Sequence, residues 1–288
     1  LRITILGGLF VVFVFGAARA AGAGSVYDLS YRPVVGLRVA YEESIDTTMK
    51  GDGANGNRSA TESEKFHRQL VVSEEVVTEV RGGEAVGRRI TFGPNSWWAS
   101  KRNEQPATKT RLIYAGKTVN FRVTPEGKIE QDFGVQPKGE LMRLLRNQIL
   151  GRTSLFAGKP VAAGERWRAD DALRPMLDLQ SGDTVSAIVT LKGVREQEGR
   201  QVADIGMSAG VLATKSELHV EMELEGAFVI DVQTGVAVKG DLTGKCRMAG
   251  LAVHGTVKVT GEGSLEMHHS GRILPAGDRA VAGVANGG

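Results

Sequence analysis

The sequence predicts a mainly β protein, a curved antiparallel sheet or half-barrel in two sequential halves with one central amphipathic helix. Three observations predict it. Apolar and polar residues alternate along many short stretches, most strictly in Glu217–Leu224, where Leu218, Val220, Met222 and Leu224 oppose His219, Glu221 and Glu223. Glycine supplies 38 of 288 residues, well above its usual ~7 per cent, and much of it falls between those stretches, as in a turn-rich β protein. Only Lys138–Gly151 carries a convincing helical period, with Leu141, Leu144, Leu145 and Ile149 on one face.

Taken in order, Arg2 precedes the apolar run Ile3–Phe15, and Ala18-Arg19-Ala20 has the small-x-small pattern of a cleavage point. Residues 1–20 are therefore expected to be a signal peptide, with a retained N-terminal anchor as the alternative. The run falls short of the roughly 20 apolar residues that a span needs, so no transmembrane segment is expected in the mature chain. No cysteine follows the run to carry a lipid. The expected address is exported, periplasmic or secreted. Removing Arg2 and Arg19 takes the formal charge from +3 to +1, and the remaining charges are interspersed, so no nucleic-acid partner is expected.

The first β half spans 21–136. Its strands are expected over Val35–Ile45, Lys65–Val80, Ala85–Phe92, Thr110–Tyr114, Lys117–Thr124 and Lys128–Asp132. Arg81-Gly82-Gly83-Glu84 reads as a hairpin turn. Lys50–Ser59 reads as a flexible turn and lacks the ligand spacing of a calcium loop. Trp97 and Trp98, adjacent in a strand, would put one indole on each face, one in the core and one at a contact surface.

Residues 137–152 form the expected central helix. Pro137 lies just outside its start, Glu140 is in the first turn, and Gly151 takes the C-cap position. Its apolar stripe either covers the open face of the sheet or walls an apolar cavity. Leu141, Leu144, Leu145 and Ile149, together with Trp98, are the candidate ligand-binding residues.

The second β half spans 153–269. It is expected to hold a hairpin from Thr184–Val194 to Gln201–Met207, the strand Glu217–Leu224, a hairpin around Gln233-Thr234-Gly235, and strands over Arg247–Thr260 and Ser264–His269. Trp167, after the turn at Gly164, reads as an anchor pinning the second half to the first. Residues 270–288 read as a flexible tail. Cys246 is the single cysteine, so no internal disulfide forms, and a buried inert thiol is expected.

Three stretches carry a resemblance: Tyr114 to Ile129, Gly158 to Trp167, and Gly226 to Gly235. In this order they resemble a group of exported bacterial proteins of unknown function, common in planctomycetes, of the DUF6263 type. The resemblance implies no catalytic residues. The predicted architecture is also similar to that of periplasmic lipid carriers such as the lipoprotein-localisation factor, in which a curved antiparallel sheet wraps a helix.

No catalytic signature is present. The chain has no Gly-x-Ser-x-Gly elbow, no phosphate loop and no His-Glu-x-x-His pattern. His268 and His269, adjacent in a strand, point to opposite faces and cannot share one ion. His67, His219 and His254 are scattered, and Asp170-Asp171 reads as a polar loop. The chain is thus not expected to be an enzyme, and no metal or cofactor is expected. The expected function is binding of a lipid or another apolar or amphipathic ligand in a concavity under the helix. The alternative is a structural or protein-interaction module of the cell envelope with no small ligand.

Overall fold

The computed structural model describes residues 25–54, 61–103, 106–126, 129–132, 157–176, 179, 182–215, 217–252 and 257–275. The expected leader, the helix over 137–152 and its residues Leu141, Leu144, Leu145 and Ile149 lie outside them.

The described residues form one large, open, curved antiparallel sheet. The N-terminal half supplies β2 (Arg38–Ala54), β3 (Thr61–Arg81), β4 (Glu84–Phe92), β5 (Trp97–Arg102), β6 (Thr108–Arg111), β7 (Thr118–Val123) and β8 (Ile129–Asp132). The C-terminal half supplies β10 (Arg166–Arg168), β11 (Thr184–Gln197), β12 (Arg200–Lys215), β13 (Glu217–Asp231), β14 (Ala237–Ala252) and β15 (Val257–Leu274). Their order is β10-β11-β12-β13-β14-β15-β2-β3-β4-β7-β8, with β5 beside β3 and β6 beside β5. The halves meet along β15 and β2, in register from Lys258↔Ala54 to Leu274↔Arg38. A separate two-stranded sheet pairs β1 (Val26–Tyr27) with β9 (Val161–Ala162). The helix among the described residues is α1 (Asp170–Met176), where the sequence reads as a polar loop. Asp170 starts it and accepts the Ala187 N–H at 2.8 Å, covering a stretch of the β11 edge.

Strict alternation gives the sheet two unlike faces. One line of paired residues crosses nine strands on the apolar face: Trp167, Val189, Met207, Gly226, Leu242, Met267, Ile45, Gln69 and Trp98. The other face carries rows of alternating charge, such as Glu221↔Arg247↔Glu262↔Lys50. Opposite charges directly across neighbouring strands support that register.

The strands are longer than the sequence suggests. β2 runs through Lys50–Ala54, which reads as turn, and β13 and β14 are each continuous across expected breaks. The stretch expected as one strand over Arg247–Thr260 is divided between β14 and β15. β15 continues to Leu274, into the expected tail. In the N-terminal half the strand expected over Thr110–Tyr114 is β6, which ends at Arg111. Gly226 and Gly244, outside the expected strands, lie instead within long strands on the apolar face, beneath neighbouring side chains. A Cβ on Gly226 would meet the Phe228 ring at 2.8 Å, and one on Gly244 would collide with Leu224.

Three buried clusters occupy the apolar face. The largest gathers Trp167, Val189, Leu191, Ile205 and Leu224 under Leu29, Val161 and Leu173 of α1. A second joins Val71, Ile90, Phe92, Tyr114, Val119 and Phe121, and a third joins Leu37, Val39, Tyr41, Val77, Ala85 and Val236. Trp167 is buried in the largest, among residues of the second half together with Tyr27 and Leu29, rather than between the two β halves.

A strap over 28–37 ties the first and third clusters together, with Leu29 in one and Leu37 in the other. The Arg32 N–H donates to the Thr234 carbonyl at 2.9 Å, and its guanidinium donates to the carbonyls of Asp28 and Val232. Further along, the Gly36 N–H donates to the Val77 carbonyl at 2.9 Å. Gly235 faces the strap with φ +69, and a Cβ there would lie 2.5 Å from the Ser30 carbonyl oxygen.

Asp28 accepts the Ser30 N–H at 3.0 Å and pairs with Arg32 at 2.7 Å, which holds its carboxyl down at about 2. A carboxyl depressed in the folded state stabilises fully above its unfolded value near ~3.9 and loses that contribution as pH falls through the folded value. Both side chains are more than 40 per cent exposed, so screening limits the contribution to no more than about 1 kcal/mol. The thermal midpoint should therefore fall more between pH 5 and pH 2 in the native protein than in Asp28→Asn. Identical profiles would show that the carboxylate does not hold the strap.

Candidate ligand-binding face

Four pairs of like ionisable residues interrupt the alternation: Glu42-Glu43, Glu74-Glu75, Arg88-Arg89 and His268-His269. In a strand, one member of each pair must face the apolar side. Glu42, Arg89 and His268 are exposed, and Glu74 pairs with Arg38 at 2.8 Å. His268 meets Asp241 at 2.8 Å on the polar face. Glu43, Glu75, Arg88 and His269 are left on the apolar face.

These four pair with one another. Arg88 Nη1 donates to Glu75 Oε1 at 3.0 Å, with the two residues 3 and 4 per cent exposed. The Arg88 guanidinium also lies 5.6 Å from the centre of the Tyr31 ring, on the strap. His269 Nδ1 is 3.1 Å from Glu43 Oε1, and its Nε2 is 3.1 Å from the Ala237 carbonyl oxygen. Two oxygen acceptors thus flank one ring, whose neutral form can donate to only one of them. Tyr41 packs against the imidazole, with centroids 5.3 Å apart.

Tyr114 stands beside this cluster. The turn after β6 carries it inward, its ring packs on Phe92 at 4.4 Å, and it is 3 per cent exposed. Its hydroxyl has no hydrogen-bond partner among the described residues, and neither has Arg88 Nε. An unsatisfied buried hydroxyl costs about 1–3 kcal/mol. Burial raises the phenol's pKa above its ordinary value, and the negative charge of Glu43 acts in the same sense.

Towards the other ends of the long strands, the apolar face becomes half-buried. Val220, Met222, Cys246, Met248, Leu265, Met267, Ile45 and Met49 form this band. Methionine is unbranched and adaptable, and it recurs where one surface accommodates varied apolar shapes. Cys246 is half-buried rather than fully buried. Its Sγ lies 3.3 Å from Met49 Sδ, and burial raises its pKa, so the thiol form is favoured. Trp98 borders the band, its indole stacked on His67 with centroids 5.9 Å apart. Trp97 turns to the opposite face, where Lys109 Nζ lies 4.3 Å from its ring centre. The structure therefore places Trp98, the described member of the predicted site, on the apolar face.

The larger grooves among the described residues lie on the charged face. One of about 920 Å³ is bordered by Leu212, His219, Glu221, Arg247, Glu262 and Lys50. A second, of about 650 Å³, runs past Arg195, Arg200, Lys239 and His268. Its polar side chains are engaged: Arg195 with Asp204 at 2.8 Å, Arg200 with Asp231 at 2.7 Å, and His268 with Asp241. Among the described residues no three His, Cys, Asp or Glu side chains gather as a metal site. No helix there is long and apolar enough to cross a membrane.

No family model matches the chain, the DUF6263 type included, and no curated protein matches it. Its fold is similar to part of lipovitellin, at 9 per cent identity and a TM-score of 0.41, over 84 per cent of this chain and 26 per cent of that one. The chain thus spans about a quarter of lipovitellin. It is also similar to an outer-membrane channel of Pseudomonas putida F1, at 11 per cent identity and a TM-score of 0.22, over 85 and 98 per cent of the two chains. A LolA superfamily protein from Nitrosomonas europaea matches at 8 per cent identity and a TM-score of 0.15, over 81 and 87 per cent.

Proposed function

We propose that this protein is an exported, non-catalytic carrier that holds an amphipathic molecule against the apolar face of its sheet. The hydrocarbon part lies along the half-buried band of Met222, Met248, Met267 and Met49, bordered by Trp98. The polar end reaches the Glu43–His269 pair and Tyr114. One observation carries this reading: a methionine-rich, half-buried band runs on the same strands into a buried polar cluster that includes an unsatisfied hydroxyl. A core with no guest has no use for that hydroxyl, whereas a guest with a polar end would satisfy it.

The test is titration of solvent-extracted protein with fluorescent long-chain amphiphiles. Saturable binding at micromolar protein is expected. Trp98→Ala should weaken it about tenfold, which corresponds to about 1.4 kcal/mol. Absence of saturable binding for every chain length and head group would overturn the reading. The alternative, an envelope interaction module, draws on the grooved and charge-laddered polar face. It predicts association with an envelope protein that substitutions at Glu221 or Arg247 disrupt and Trp98→Ala leaves intact.

A further inference from the structure

Resting on that carrier reading, we propose that the polar cluster selects an uncharged hydroxyl head group over a carboxylate. The charges around it argue for this. Glu43 and Glu75 are both on the apolar face, where Arg88 pairs with Glu75 at 3.0 Å and His269 lies 3.1 Å from Glu43. A carboxylate head would enter next to the carboxylate of Glu43, at a depth where like charges are poorly screened. A cationic head would compete with His269 for Glu43. A hydroxyl needs neither change: it accepts from the Tyr114 O–H and donates to a carboxylate, which has room for several donors.

Tyr114 is the second part of the argument. Its ring is fixed on Phe92 and its hydroxyl is buried without a partner. Phenylalanine would fill the same place in the cluster of Val71, Ile90, Phe92 and Val119 and leave nothing unsatisfied. The phenol oxygen therefore weakens the empty protein and strengthens the occupied one. Removing it should move stability and binding in opposite directions, which a packing role alone does not do.

The experiment uses two probes with the same conjugated chain, cis-parinaric acid and the corresponding parinaryl alcohol, titrated at pH 7 into the extracted full chain. The alcohol should bind at least tenfold more tightly than the acid. Tyr114→Phe should remove that preference by weakening the alcohol alone, and it should raise the thermal midpoint by about 2–4 °C. Glu43→Gln should narrow the preference from the other side, by tightening the acid. Equal or tighter binding of the acid to the native protein would overturn the proposal while leaving the carrier reading standing. So would a Tyr114→Phe protein that keeps the preference. If neither probe binds, both readings fall.

Discussion

Replacing Arg88 by methionine should destabilise the protein by about 3–5 kcal/mol, the range found when one member of a buried ion pair is removed. The substitution keeps most of the volume and takes away the positive charge that faces Glu75, a carboxylate 4 per cent exposed. It also removes the cation from the Tyr31 ring and so loosens the strap where it crosses to β3. Replacing both partners, Arg88→Met with Glu75→Leu, should recover most of the loss. Two apolar side chains would fill the space without bringing a charge out of water, and such exchanges are often neutral or stabilising. Urea unfolding of the two single variants and the double variant measures the coupling. A double variant as unstable as the sum of the singles would show that the two charges act independently. The result also separates stability from purpose, because a pair that apolar residues can replace without loss is not present for stability. The double variant should then fold and bind amphiphiles more weakly, since half of the polar cluster would be gone while the Glu43–His269 pair and Tyr114 remain.

The large features of the fold were legible because they follow from local chemistry. Alternation in Glu217–Leu224 placed one strand, and Gly82 and Gly83, both at positive φ, closed the hairpin that the sequence marks. Trp167 and the turn at Asp231 and Gly235 are where their residue types suggest. Strand length was not legible. Glycine reads as punctuation in a single sequence, and nothing local distinguishes a turn glycine from one on which a neighbouring strand's methionine or leucine rests. Helix α1 was missed for a related reason. Seven residues containing Pro175 carry too little periodicity, and the role of Asp170 depends on Ala187, seventeen positions away. That Trp97 and Trp98 point to opposite faces was readable from the Trp-Trp pair alone. The rest of the site had a signal that the reading passed over, the four like pairs at 42–43, 74–75, 88–89 and 268–269. Each pair inside a strand forces one polar residue inward. Which inward residues meet is a property of the β15–β2 seam and of the β3–β4 hairpin, and only the former joins positions more than two hundred residues apart.

That seam gives the other large effect. Gly263→Ala should cost at least the upper end of the roughly 1–3 kcal/mol of ordinary overpacking, whereas Gly210→Ala should stabilise by about 0.4–1 kcal/mol. Both glycines lie inside long strands, and neither has a positive φ. The difference is what a methyl group would meet. At Gly210, on the charged face of β12, nothing lies within 4 Å, so alanine only restricts the unfolded chain. At Gly263 it would collide with the Thr48 carbonyl and Met49 Sδ of β2, and it would touch Cys246 Sγ of β14 at 3.3 Å. The methionine can swing aside. The carbonyl belongs to the ladder that joins the two halves of the sheet and cannot move without opening the register around Gly263↔Met49. Chemical denaturation of the two variants, read side by side, decides the point. Equal and opposite-to-expected shifts would mean that β15 and β2 slide freely. A large loss at Gly263 alone would locate the joint between the halves at the floor of the apolar band, where the absence of a side chain lets the sulfur atoms of Met49 and Cys246 approach each other.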